Sequence, residues 1–252
     1  MKFPKVRDIT FEILGRCGIE APPVDLEPVL KYFNARVVYS KNILHSALLQ
    51  GKEWWTIKVN GTFRPERRDF RIAHELAHIY WSEPTHHRDD PELGGRLEHF
   101  CSKFASLLLC PHQWLVNDAP EADYDLFALK AIYPNVSHEV LALRLCCLTP
   151  LVVTIFDNGK KYRRLASPSL KYPGKETRLE LKVYEEVDLY GEFREARGQI
   201  RVGGIIRSAR VRGYPVISGS FRRVILLMTP VESSLVESAE FEEDMPYPFP
   251  EY

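Results

Sequence analysis

Apolar positions near the start of the chain recur at helical spacing. Val6, Ile9, Ile13, Leu14 and Cys17 share one face of an α-helix, and Gly18 follows as a stop. Pro22 and Pro23 interrupt the pattern. Asp25 then offers an N-cap for a short helix through Phe33, with Asn34 at its end. The period next changes to two. Strands are predicted over 36–39, 47–50 and 54–59, with Gly51 and Lys52 in the turn between the last two, and Asn60 and Gly61 close the run. A helix is predicted over 65–81, where Phe70, Ile72, Ala73, Leu76, Ala77, Ile79 and Trp81 form an apolar surround without a breaker. Residues 82–95 are polar and carry Pro84, Pro91, Gly94 and Gly95, so they read as a loop. A long helix over 96–109 ends near Pro111, and two shorter ones follow over 124–132 and 137–147, the second with Ser137 as N-cap.

After Thr149 and Pro150 the pattern becomes β-rich. Strands over 152–156 and 161–165 flank Asp157-Asn158-Gly159-Lys160, a hairpin signal. Leu179, Leu181, Val183, Val187 and Leu189 keep period two, and 201–212 alternates loosely. Residues 224–228 are a continuous apolar run, as in a buried strand. From 237 the chain is acidic and then rich in proline (Pro246, Pro248, Pro250), which predicts a disordered tail. The expected fold class is α+β. Its predicted domains are 1–150, a small sheet with helices, and 151–236, a β-rich domain of unassigned role, before the tail at 237–252.

Composition narrows the function classes. The 252 residues are 45% hydrophobic and 27% charged, with a formal net charge of zero. Basic and acidic residues number 18 and 19 up to position 150, and 16 and 15 after it. Neither half is a basic module, so a large electrostatic footprint for nucleic acid is not expected. No segment approaches the ~18 apolar residues of a membrane span, and residues 1–10 lack the apolar core of a secretory signal. The expectation is a cytoplasmic protein whose five cysteines are reduced. Among them, Cys101 and Cys110 read as small buried hydrophobes rather than metal ligands.

The chemistry lies in residues 74–78, His-Glu-Leu-Ala-His. Positions four apart share a helix face, so both imidazoles can reach one small cation. Zinc accepts nitrogen ligands and keeps an open position when the protein supplies three. Glu75 sits beside such a site but off its axis, where it can take a proton from a water activated by the metal and pass it to a leaving amine. Such polar residues are otherwise hard to justify on so apolar a helix. A third ligand is required. Glu98 lies on the next predicted helix, with 19 residues between it and His78, a spacing that resembles thermolysin-like enzymes with a glutamate third ligand. His99 is its competitor, but points about a quarter turn away. One zinc ion per chain is therefore expected on His74, His78 and Glu98. His86, His87, Asp89 and Asp90 read as a solvated loop rather than a second metal site. Arg64, Arg67, Arg68 and Arg71 read as the exposed face of the approach to the metal helix.

These stretches resemble the ImmA/IrrE metallopeptidase family, a zincin-like fold. Pro23-Val24-Asp25-Leu26, the helix after it and Arg36-Val37-Val38-Tyr39 form the first. Residues 55–60 and then 68–78 are similar to the family's strand and "AHELAH" segment. Phe104-Ala105 and Leu108-Leu109-Cys110-Pro111, within 98–111, resemble its "FA…LLMP" helix. The resemblance covers about residues 1–150, including a helical segment over 136–148. It implies a zinc-dependent endopeptidase with His74, His78 and Glu98 as ligands and Glu75 as base. Better-known members cleave a partner transcriptional repressor and release stress-response or mobile-element genes. Two positions depart from the family pattern. Ser102 stands where an Asn or Asp commonly follows the ligand glutamate by four residues, and Cys101 stands where alanine is usual, so the outer support of a ligand is expected to be weaker or different.

Substrate is expected to lie extended along the strand at Thr56, Ile57, Lys58 and Val59, pairing through main-chain hydrogen bonds. Tyr80, His86, His87, His99 and His112 are candidates for stabilising an oxyanion. Arg201, Arg207, Arg210, Arg212, Arg222 and Arg223 alternate with apolar residues and read as a solvated sheet face. The rival reading is a regulator without turnover. It would be a zinc scaffold, such as a toxin–antitoxin component, or a DNA-binding protein using 126–148 as a helix-turn-helix. The second helix there offers chiefly His138 and Arg144 to base edges, while Leu141, Leu145 and Leu148 look like core.

Overall fold

The helical spacing at the start of the chain forms α1 (Val6–Arg16), which buries Thr10, Ile13 and Leu14. The computed structural model describes residues 5–82, 93–170, 172, 174–202 and 205–231. The tail at 237–252 lies outside them. The described residues fall into two compact units, one ending at Ser137 and one beginning at His138.

In the first unit Asp25 caps α2 (Leu26–Tyr32), its carboxylate accepting from the backbone of Glu27. Three strands follow, β1 (Ala35–Ser40), β2 (Ser46–Gln50) and β3 (Trp55–Asn60). They form a mixed sheet in the order β1-β3-β2, with β1 parallel and β2 antiparallel to β3. The strand predicted to take substrate is thus the central one, paired on both sides. Ile57 and Val59 are fully buried. Among the described residues Thr56–Val59 therefore has no free edge for a peptide, and that expectation is corrected: the edges of this sheet are β1 and β2.

The long apolar helix is α3 (Pro65–Ser82), which packs on β2 and β3 and against α4 (Leu93–Leu109). α3 is buried nearly all round from Phe70 to Ala77, as expected of a helix through the middle of a core. α5 (His112–Glu121), which the sequence pattern did not reveal, fills the span before α6 (Leu126–Ile132). Its buried residues are only Leu115 and Ala119, too sparse to announce a helical stripe, and Pro120 sits in its last turn. Asp125 caps α6 through the backbone of Phe127 and Ala128.

The second unit opens with α7 (His138–Leu145), which packs on the strand Phe221–Pro230. β4 (Val152–Asp157) and β5 (Lys160–Ala166) form the predicted hairpin. Asn158 and Gly159 both take positive φ, 46° and 82°, the two-residue turn that suits the twist of the paired strands. The alternating stretch after it is not a strand but α8 (Arg178–Tyr190), a correction of the sequence reading. Leu179, Val183 and Val187 lie four apart and turn to the sheet, while Leu181 and Leu189 are exposed. Thr177 and Glu180 make a reciprocal capping box, and Gly191 ends the helix in the left-handed conformation. β6 (Arg194–Val202), β7 (Ile205–Ser218) and β8 (Phe221–Pro230) complete an antiparallel sheet ordered β5-β4-β8-β7-β6.

α8 approaches this sheet closely because Gly213 has no side chain. A Cβ there would stand 2.7 Å from Val187 Cγ2 and 2.8 Å from Val183 Cγ1. Gly213→Ala is expected to lower the free energy of unfolding by about 1–3 kcal/mol through overpacking, read as a lower urea midpoint. An unshifted midpoint would mean that α8 yields without cost.

A buried ion pair joins α8 to the β4–β5 hairpin. Arg164 meets Glu180 through two contacts, Nη1–Oε1 at 2.5 Å and Nη2–Oε2 at 3.1 Å, and Thr154 Oγ1 donates to Oε1 at 3.1 Å. The arginines read as a solvated sheet face are also partly engaged. Arg212 is buried beside Glu195, which also receives Arg210, and Arg223 lies between Asp157 and Glu139. No helix among the described residues is long and apolar enough to cross a membrane.

Candidate metal centre

His74 and His78 are one turn apart on α3, with ring centroids 5.1 Å from each other. α4, packed against α3, carries Glu98 to both. Glu98 Oε2 lies 3.1 Å from His74 Nε2, and Glu98 Oε1 lies 3.4 Å from His78 Nε2. In a tetrahedron with metal–ligand bonds of ~2.0–2.1 Å, ligand atoms stand ~3.3–3.4 Å apart. Two imidazoles and a carboxylate are a donor set that suits zinc, and the two histidine–carboxylate distances, each to a different oxygen of Glu98, are close to that size. The 3.1 Å contact also suits a hydrogen bond to the carboxylate when no cation is bound. It is Glu98, rather than His99, that the helix brings to the histidine pair.

Burial governs the histidine nearest the core. It lowers the His74 pKa to about 3, with His78 and Arg71 adding to the effect. The ring is therefore neutral near pH 7, so its contact with Glu98 is not an ion pair, and a neutral imidazole is the form that ligates a metal. Ser102 Oγ lies 3.4 Å from His74 Nδ1. A ring that offers Nε2 to a metal carries its hydrogen on Nδ1 and can donate it to Ser102. The serine thus stands outside the histidine pair, in a long contact with His74.

Glu75 is buried beside the pair, and Ser46 Oγ, at the start of β2, donates to its Oε1 at 2.7 Å. Ser46 pairs with Val59 across the sheet, so Val59 and Ile57 share its face, the one toward α3, and Thr56 and Lys58 point to the other. Cys101 also belongs to this neighbourhood. It is fully buried, as read, yet Cys101 Sγ and one ring nitrogen from each of His74 and His78 lie within 4.8 Å of one another. Burial, with the carboxylates of Glu98 and Glu75 nearby, pushes its thiol pKa up. Sequence reasoning did not place Ser46, whose approach depends on strand register. Cys101 and Ser102 had a signal, their spacing of three and four residues after Glu98.

Other candidates part company with the site. His86, His87, Asp89 and Asp90 lie outside the described residues. Tyr80 packs in an aromatic cluster with Phe100 and Phe104, at centroid distances of 6.4 and 5.8 Å. His112 opens α5. The arginines before the motif are not uniformly exposed: Arg67 lies 3.9 Å over the Phe63 ring, Arg68 lies 5.2 Å over the Tyr39 ring, and Arg71 is buried one turn before His74. In α7 every residue after His138 is buried, Arg144 completely, which leaves no row of side chains for base edges.

No curated protein matches the chain. Among solved structures, a Mycobacterium tuberculosis transcriptional regulator is similar at a TM-score of 0.66 and 17% identity, covering 89% of this chain and 76% of that one, a likeness of fold. Residues 31–146, from within α2 to just beyond α7, match the profile described as Peptidase_M78, the IrrE N-terminal-like domain. That stretch contains His74, Glu75, His78 and Glu98 on their two packed helices, so the part of the chain that carries the centre is similar to the IrrE N-terminal-like domain.

Proposed function

We propose that the chain is a zinc-dependent endopeptidase with a zincin-like catalytic domain, holding one zinc on His74, His78 and Glu98. The observation that carries this reading is the meeting of both histidine Nε2 atoms with one carboxylate, at 3.1 and 3.4 Å, beside a buried glutamate. A bound zinc supplies a Lewis acid that polarises a peptide carbonyl and lowers the pKa of a coordinated water. Glu75 accepts the proton of the attacking water and returns it to the leaving amine. Ser46 orients that carboxylate through its 2.7 Å hydrogen bond. Ser102 steadies the His74 ring from the far side.

A protein substrate binds as an extended segment along β2, an edge strand of the sheet, and this assignment replaces Thr56–Val59. β2 is suited to the task because its first residue touches Glu75, so a segment paired with it runs past the base. A helix-turn-helix repressor is the kind of substrate this reading favours, and the reaction would take place in the cytoplasm. The catalytic domain is taken to reach about residue 150, since the family match ends at 146, although α7 groups by contact with the second unit.

The test is metal content by elemental analysis of protein purified without chelator. About one zinc per chain is expected in the wild type, and little in His78→Ala and Glu98→Ala. A metal-free wild type supplied with zinc would overturn the reading and favour a regulator without turnover.

A further inference from the structure

α4 turns a second ligand-bearing side chain toward the histidine pair. Cys101 follows Glu98 by three residues, which places both on one helix face. Its sulfur and a ring nitrogen from each of His74 and His78 lie within 4.8 Å of one another. Zinc bonds of ~2.3 Å to sulfur and ~2.0–2.1 Å to nitrogen put those atoms ~3.6 Å apart in a tetrahedron. The difference is on the order of 1 Å, a shift of the size that side-chain rotation supplies. The two α4 groups also differ in setting. Cys101 is fully buried and carries no disulfide, while the Glu98 side chain is 57% exposed. A cation drawn into the core between α3 and α4 therefore meets the thiol from inside and the carboxylate from the solvent side.

We propose that Cys101 is a fourth protein ligand, closing the centre in a resting state made of His74, His78, Glu98 and Cys101. The proposal rests on the metallopeptidase reading above. Four protein ligands leave no position for water or a peptide carbonyl, which is the distinction between closed structural zinc sites and open catalytic ones. Entering the site, the thiol gives its proton to solvent, and thiolate and carboxylate together balance a divalent charge. Leaving it, the thiolate regains a proton and the fourth position opens beside Glu75. The chain is then a latent peptidase whose resting site favours thiophilic metals. The alanine usual at this position could not do this, since it offers no ligand atom.

The experiment uses the full chain, stripped of metal and loaded with cobalt(II), as wild type, Cys101→Ser, Cys101→Ala and His78→Ala. Cobalt per chain and sulfur-to-cobalt charge-transfer absorption in the near ultraviolet are read separately. The expected wild type binds about one cobalt and shows the band. Both Cys101 variants keep the site but lose the band, with cobalt held ~10-fold more weakly or worse, and His78→Ala loses most of the cobalt. A wild type that binds one cobalt with no band overturns this proposal and leaves the metal site standing, with Cys101 a buried apolar residue only. A band that persists in Cys101→Ser overturns it as well. Cobalt absent from the wild type, or bound equally by His78→Ala, instead overturns the metallopeptidase reading on which the proposal rests.

Discussion

Glu75→Gln is expected to keep the metal and to cut peptide hydrolysis by ~10²–10⁴-fold, the usual contribution of a positioned general base. The side chains have the same shape, and the amide oxygen of glutamine can accept the Ser46 hydroxyl as Glu75 Oε1 does at 2.7 Å. What glutamine lacks is the basic oxygen that takes a proton from water. The contacts of His74 and His78 with Glu98 do not involve Glu75, so metal content should not follow it. His78→Ala, by contrast, should lose metal and activity together. New termini in a library of unstructured peptides, detected by mass spectrometry, provide the measurement, made on Cys101→Ala, whose fourth position is open, with and without Glu75→Gln. Undiminished cleavage by the glutamine variant would remove Glu75 from the role of base, while loss of metal from it would show that the carboxylate helps hold the ion.

The second large effect concerns stability. Glu180→Ala is expected to cost about 3–5 kcal/mol, the usual penalty for leaving one member of a buried ion pair uncompensated. The side chains of Glu180 and Arg164 are 0% and 6% exposed, so solvent cannot replace the lost partner. Glu180 also accepts from Thr154 and from the backbone of Thr177, which ties the start of α8 to β4 and β5. Removing it therefore frees a helix end as well as a charge. Replacing Arg164 and Glu180 together by Met and Leu should recover much of the loss, since a buried pair is often no better than well-packed apolar groups. All four tryptophans, at 54, 55, 81 and 114, lie in the first unit, so their fluorescence reports on the other half of the protein. Amide exchange across β4, β5 and α8 is the direct readout. Protection unchanged in Glu180→Ala would mean that the pair contributes little.

Several elements were legible because their signals are local. Asp25 and Asp125 both accept from backbone N–H groups at helix starts, and Asp25 could be read as a cap from its neighbours alone. The Asn158-Gly159 turn needs only two residues that tolerate positive φ. α8 was misread for a physical reason: Leu179, Leu181 and Val183 satisfy a period of two, but Leu179, Val183 and Val187 equally satisfy a period of four. The Thr177–Glu180 box and Gly191 were the cues that decide for a helix. α5 left too few buried positions to show a period.

By itself, then, the sequence determined which chemistry this protein can hold. His74 and His78 lie on one helix face because 3.6 residues make a turn, and Glu75 must stand beside them. Tertiary structure decided the rest, because each remaining choice depends on groups distant in the chain meeting in space. The packing of α4 on α3 brought Glu98 and Ser102 to the histidines and put Cys101 near them. Among the described residues, the order β1-β3-β2 made β3 the centre of its sheet and left β1 and β2 as its edges, with Ser46 of β2 reaching Glu75. Strand order and helix packing come from burying apolar faces against one another, and no local pattern in the chain encodes which partner each face will find.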